Sequence, residues 1–152
     1  MLFRSQYLET NALVAQAGAL LEFEQFDEAV AAAQAGSELA RQATLTGAEV
    51  LGLARLAYAY SQLGATREAV TAMLRAVQLL EEHLHIEGSE EEVWWRCGEV
   101  AHMADDQARA TAMFERGHHG YLRKLEWLED PEEREQFAAI RCNRDLVARV
   151  TT

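Results

Sequence analysis

Small residues recur along this chain at intervals of about forty positions. Ala29, Ala69 and Ala110 are separated by 40 and 41 residues. A second set of small residues lies twelve positions before them, and a set of large apolar residues lies four positions before that one. The nine positions, in three successive sets, are Leu13, Ala17 and Ala29, then Leu53, Ala57 and Ala69, then Trp94, Gly98 and Ala110. Because small residues allow two helices to cross closely and large residues fill the space between them, this recurrence predicts a repeated pair of packed helices.

Apolar spacing and cap residues divide the chain into eight predicted helices. They cover about 7–23, 27–43, 47–63, 66–83 or 66–85, 89–104, 106–128, 131–140 and 143–152. Asp27 and the pair Asp105-Asp106 are predicted N-caps, and Asp130-Pro131 has the cap-then-proline order of a helix start. Ser89 with Glu92 is a predicted capping box, and Gly64 is a predicted helix stop. Nine glycines, one proline and few β-branched runs leave little material for strands. The predicted fold class is therefore all-α.

The register of Trp94, Gly98 and Ala110 resembles that of the tetratricopeptide repeat (TPR). In that family a large residue, a Gly or Ala four positions later and an Ala twelve positions after that define one helix hairpin. The segments FDEAVAAAQAG (26–36) and TREAVTAMLRA (66–76) resemble its second-helix signature. The family unit has about 34 residues, so these longer units are similar to helical repeats of bacterial signal-transducing ATPases and adenylate-cyclase-like regulators. The tail EREQFAAIRCNRDLV resembles the segment that closes such arrays.

This resemblance implies a right-handed α-solenoid of about three antiparallel TPR-like hairpins followed by C-terminal capping helices. The implied repeat region is 6–129, with hairpins at about 7–44, 46–85 and 89–129, and the implied capping region is 130–152. Residues 1–5 are set apart as candidate non-native residues, because LFRS at 2–5 can be encoded by a sequence that resembles the end of a common sequencing adapter.

The charge balance argues against two classes of partner. Fourteen basic and twenty-five acidic residues give a net charge of −11, which disfavours binding to a phosphate backbone or to an anionic membrane surface. No apolar stretch approaches the roughly 20 residues that a membrane span requires, and no signal peptide is visible. Cys97 and Cys142 lack a paired spacing, which is typical of reduced thiols. We therefore expect a cytoplasmic protein that binds neither nucleic acid nor membrane.

No motif in the sequence predicts catalysis, a cofactor or a metal site. There is no Gly-rich phosphate loop, no His-Glu-x-x-His and no paired cysteine motif. His83 and His85 point to opposite sides of a helix, and His118 and His119 diverge by about 100°. Neither pair has the spacing of a helical metal chelate. We expect a protein that is not an enzyme.

The adjacent tryptophans Trp94 and Trp95 indicate a candidate binding face. Neighbours in a helix point about 100° apart, so a single packed surface does not easily bury both rings. Trp94 stands at the large-residue position of its repeat and is expected to pack near Ala110 and Phe114. Trp95 falls on the first-helix face that, by the family resemblance, lines a concave groove. The six residues expected to share that groove are Tyr58, Gln62, Trp95, Arg96, Glu99 and His102.

Two functional hypotheses follow. The first is a protein–protein interaction module that binds a peptide or a partner helix in this groove. The alternative is a sensor or transmission fragment of a multidomain ATPase or cyclase-type regulator, in which another domain performs the chemistry. The apolar residues of the helix at 7–23 further suggest self-association through that helix, or coverage by a preceding hairpin, because a terminal helix of a solenoid needs a polar outer face.

Overall fold

The computed structural model describes residues 2–83, 86 and 88–151, and divides the chain into two compact units, Met1–Gly88 (unit 1) and Ser89–Thr152 (unit 2). Across these described ranges there are eight helices and no strand. The helices of unit 1 are α1 (Leu2–Glu22), α2 (Phe26–Gln42), α3 (Thr46–Gln62) and α4 (Thr66–Glu82). The helices of unit 2 are α5 (Glu90–Met103), α6 (Gln107–Trp127), α7 (Pro131–Ala139) and α8 (Arg141–Thr151). The predicted extension of the fourth helix to His85 lies outside the described residues.

In unit 1 each helix packs against the next, and α1 also packs against α3. The three connections share one backbone form, with left-handed residues at Glu24, Thr44 and Gly64 (φ +57°, +55° and +77°). At each connection the left-handed residue donates its N–H to the carbonyl three residues earlier, and the next residue donates to the carbonyl five residues earlier. This pair of bonds is the Schellman motif, which satisfies the last carbonyls of a helix.

These equivalent turns explain the length of the repeat. The helices α2, α3 and α4 each contain 17 residues, and the left-handed residues follow one another at 20-residue intervals. One helix with its turn therefore occupies 20 positions, and one hairpin occupies 40. The unit exceeds the ~34 residues of an ordinary tetratricopeptide repeat because its helices are longer.

Unit 2 is built on the hairpin of α5 and α6, and α8 packs against both helices of that hairpin. The turn between α5 and α6 repeats the Schellman pair, with Asp105 in the left-handed region (φ +64°). The helix α7 joins α6 to α8 and contains no buried residue. It starts as predicted, with Pro131 in its first turn and the Asp130 carboxylate accepting the Glu132 N–H at 2.8 Å.

The recurrent small residues are buried where helices meet. Ala17, Ala29 and Ala57 are completely buried, and Ala69 and Ala110 are 1% and 2% exposed. A Cβ atom on Gly98 would lie 2.5 Å from a ring carbon of Phe114, so glycine is required for α5 and α6 to approach this closely. Among the large residues, Trp94 is 8% exposed, whereas Leu13 and Leu53 are half-buried.

The predicted N-cap of α2 and the predicted capping box of α5 are wrong. The N-cap of α2 is Gln25 rather than Asp27, and its side chain makes no capping bond, because the Schellman turn already fixes the entry of the chain into α2. Ser89 is the N-cap of α5 but likewise makes no side-chain bond. Glu92 accepts from Arg96 at 2.8 Å instead of completing a capping box. Of the predicted pair Asp105-Asp106, Asp106 is the N-cap of α6, since its carboxylate accepts the Arg109 N–H at 3.2 Å.

The apolar residues of α1 divide into buried and exposed groups. Val14 and Leu21 are each 3% exposed, so they serve the packing of unit 1 and do not form an open outer face. The exposed apolar side chains are instead Phe3 and Leu8 of α1, at 63% and 58%, and Phe23 directly after the helix, at 76%. Self-association through α1 stays a prediction.

Candidate functional site

The six predicted groove residues lie on two helices, one in each unit. Tyr58 and Gln62 belong to α3 of unit 1. Tyr58 is 9% exposed and lies in a core cluster with Leu21, Ala29 and Ala59, so the expectation that its ring faces an open groove is wrong. Gln62 is half-buried.

The remaining four residues belong to α5, and two of them are buried. Trp95 is 2% exposed and Arg96 is 4% exposed. The prediction that these two side chains face an open groove is therefore also wrong. The guanidinium of Arg96 lies 5.0 Å from the centre of the Trp95 ring, and that of Arg141 lies 5.5 Å from it. Because Arg141 belongs to α8, the physical reason is that the chain's own last helix covers this face.

Glu99 and His102 are half-buried further along α5. The carboxylate of Glu99 accepts a hydrogen bond from Arg149 of α8 at 2.8 Å. The ring of His102 is 2.9 Å from the side-chain oxygen of Gln107 at the start of α6. A role for the six residues in partner binding stays a prediction, and at Trp95 and Glu99 it would require α8 to leave the face.

Trp94 packs between α5 and α6, but further along α6 than predicted. Its ring lies 4.7 Å from the guanidinium of Arg116, and a Cβ atom on Gly117 would lie 3.0 Å from the Cβ of Trp94. Phe114, one of its expected partners, lies against Gly98 instead.

The tryptophan that solvent reaches is Trp127, at the end of α6. It is 85% exposed, whereas the adjacent pair that the sequence singled out is buried. Its position in the last turn of a long helix, just before the break at Asp130-Pro131, was the available signal.

A pocket of about 500 Å³ lies within unit 1, between α1, the start of α3 and the segment after α4. Its apolar wall includes Val14, which is almost fully buried, and the half-buried Leu45, Leu51 and Ile86. Residues from three separated segments therefore form this pocket, and no local pattern predicted it. The other lining residues are Tyr7, Asn11, Thr44, Thr46, Gly47, Ala48, His83 and Gly88.

Several polar side chains of the pocket bond to main-chain carbonyls close to them in the sequence. The Asn11 amide donates to the Tyr7 carbonyl at 2.9 Å, and the Thr44 hydroxyl donates to the Ala43 carbonyl at 2.7 Å. The His83 ring lies 2.9 Å from the Leu79 carbonyl. No Asp, Glu, Lys or Arg is among the described residues that line the pocket. An apolar wall with oriented, uncharged polar groups suits a neutral ligand segment.

Neither a metal centre nor a membrane span is visible in the part of the chain that the structure describes. No group of three or more His, Cys, Asp or Glu side chains is arranged to hold a metal ion there. No helix within those ranges has both the length and the apolar character needed to cross a bilayer.

No family model matches the chain, and no curated protein matches it. Among solved structures the chain is similar to a TPR-like protein from Chlorobium tepidum, with 16% identical residues and a TM-score of 0.66. The similarity covers 99% of this chain and 98% of that one. The all-helical, TPR-like fold predicted from the repeat is thus confirmed. At this identity the likeness concerns the fold alone.

Proposed function

We propose that this protein is an interaction module that binds a segment of another protein in the pocket of unit 1. The observation that carries the proposal is the pocket itself, which lies on the first helices of two successive hairpins, α1 and α3. The TPR-like fold supports it, since helical repeats of this kind typically act as non-enzymatic scaffolds with extended binding surfaces.

The lining of the pocket favours an uncharged or weakly polar segment. A volume of about 500 Å³ accommodates a few side chains of a bound peptide. The apolar wall at Val14 and Leu51 would take an aliphatic or aromatic side chain, and the hydroxyl and amide groups of Thr44 and Asn11 would pair with the peptide backbone. A charged peptide segment would find no Asp, Glu, Lys or Arg side chain to pair with among the described lining residues.

The test is a selection of peptides from a random 12-residue display library on the purified full chain. The variant Ala48→Trp fills the pocket, because Ala48 is half-buried in its lining. Ala31→Trp is the matched control, since Ala31 is exposed on α2 and lies outside the lining.

We expect the selected peptides to lose about tenfold or more in affinity for Ala48→Trp, equivalent to at least 1.4 kcal/mol, and to bind Ala31→Trp as they bind the wild type. Peptides that bind both variants equally, or a library that yields no binder to the wild type, would contradict the proposal.

A further inference from the structure

In unit 2 the last helix of the chain, α8, packs on the face formed by α5 and α6. Leu146 of α8 is completely buried there. A Cβ atom on Gly117 would lie 2.9 Å from a methyl carbon of Leu146 and 3.0 Å from the Cβ of Trp94. Gly117 therefore leaves the space in which Leu146 is inserted, as a knob in a groove.

Two arginines of α8 hold the helix on either side of this leucine. Arg141, five residues before Leu146, places its guanidinium 5.5 Å from the centre of the Trp95 ring. Arg149, three residues after it, donates to Glu99 at 2.8 Å and lies 5.0 Å from the Phe114 ring. Cation–π contacts and a charged hydrogen bond thus add direction to the apolar insertion.

The connection through α7 contributes little burial of its own. No residue of α7 is buried. The Arg134 guanidinium donates to the Leu125 and Leu128 carbonyls at the end of α6. The Asn143 amide donates to the Phe137 carbonyl at 2.8 Å. The burial that keeps α8 in place therefore comes mainly from its own contacts with α5 and α6.

We propose that the α5–α6 face is a helix-binding site that α8 occupies in cis. Its ligand in trans is an amphipathic helix of another polypeptide, with a buried leucine and arginines five residues before and three residues after it. Two features support this ligand: α8 already lies on the face with Leu146 buried, and its Arg149 pairs with Glu99. This site lies in unit 2 and is independent of the pocket proposed in unit 1.

A competition between α8 and such a partner follows from the covalent linkage. A tethered segment experiences an effective concentration on the order of millimolar, so a free helix of the same sequence binds weakly while α8 is docked. Weakening the docking of α8 lowers this competition and raises the apparent affinity for the free helix.

The test uses the full chain with Leu146→Asp, which places a carboxylate in the buried groove. Val150→Asp is the matched control, since Val150 is 37% exposed on the same helix. The probe is a fluorescently labelled synthetic peptide of residues 131–151. The same peptide carrying Leu146→Asp serves as the non-binding control.

The two cysteines separate undocking from unfolding. Cys142 is 7% exposed on α8, and Cys97 is fully buried in α5. In Leu146→Asp, a thiol reagent should label Cys142 rapidly while Cys97 stays protected. Rapid labelling of Cys97 as well would mean that Leu146→Asp unfolds unit 2. Arg149→Glu is then used in place of Leu146→Asp, because this substitution removes the bond to Glu99 at the surface and leaves the buried groove unchanged. The expected gain in peptide affinity is then about threefold.

We expect the wild-type peptide to bind Leu146→Asp about tenfold more tightly than it binds the wild-type chain, with Val150→Asp behaving as the wild type. Rapid labelling of Cys142 shows that α8 has left the face. The proposal would be overturned if the peptide bound such a variant only as tightly as the wild-type chain, or did not bind it at all. Equal binding of the wild-type and Leu146→Asp peptides would overturn it as well.

Discussion

At the scale of single residues, the fold depends on positions where a side chain would not fit. Gly98 and Gly117 both lie at contacts within unit 2. A Cβ atom at Gly98 would come within 2.5 Å of the Phe114 ring, whereas at Gly120 the nearest atom is the end of the Arg123 side chain at 4.0 Å. Gly98 and Gly117 therefore permit close packing, whereas Gly120 has space for a Cβ atom.

Gly98→Ala should destabilise the protein by about 1–3 kcal/mol, because the Phe114 ring must move from its packed position. Gly120→Ala is the matched control and should stabilise by roughly 0.5–1 kcal/mol, since alanine is the better helix former. The measurement is the free energy of unfolding in urea. Equal effects of the two substitutions would mean that Phe114 does not pack against Gly98.

At the scale of elements, the turns are the most regular feature of the chain. Four of them place one residue in the left-handed region, and Gly64 alone among these four residues is a glycine. Non-glycine residues in this region cost about 1–2 kcal/mol. Glu24, Thr44 and Asp105 therefore carry backbone strain that Gly64 does not.

Glu24→Gly should stabilise unit 1 by about 0.5–1 kcal/mol, because relief of the left-handed strain exceeds the added entropy of the unfolded chain. Gly64→Ala should destabilise it by about 1 kcal/mol for the opposite reason. Thermal unfolding followed by circular dichroism measures both. A loss of stability in Glu24→Gly would show that the glutamate side chain, and not the backbone, decides the turn.

At the scale of the whole molecule, unit 2 contains both cysteines, and both are buried. Burial raises the pKa of Cys97 to about 12, and burial raises that of Cys142 to about 12 as well, with Glu92 and Glu91 adding to the shift. The ordinary value is 9.0. The folded state therefore favours the neutral thiols.

Because the folded pKa lies above the unfolded one, the contribution of these thiols to stability is fully present below pH 9 and is lost as the pH rises towards 12. The free energy of unfolding should accordingly fall over this range. It should fall less steeply in the double variant Cys97→Ala and Cys142→Ala, where the other titrating groups remain. Parallel pH profiles for the two proteins would contradict the burial of the thiols.

The sequence predicted the helices well because their signals are local. Spacing, caps and the forty-residue recurrence identified the helical hairpins and the buried positions Ala17, Ala57 and Gly98. The burial of Trp95 could not be predicted in this way, since it depends on α8, which starts at Arg141. The unit 1 pocket had no local signal either, because Tyr7, Thr44 and His83 belong to three separated segments.

The common 20-residue interval of the turns in unit 1 bears on how such a chain can grow or shrink. Insertion or loss of one interval would reverse the direction of every later helix and place its apolar side on the wrong neighbours. Insertion or loss of two intervals would keep the direction of every later helix and keep its apolar side on the same neighbours. We therefore expect duplications in this molecule to occur in steps of forty codons, which is the spacing at which Ala29 and Ala69 recur.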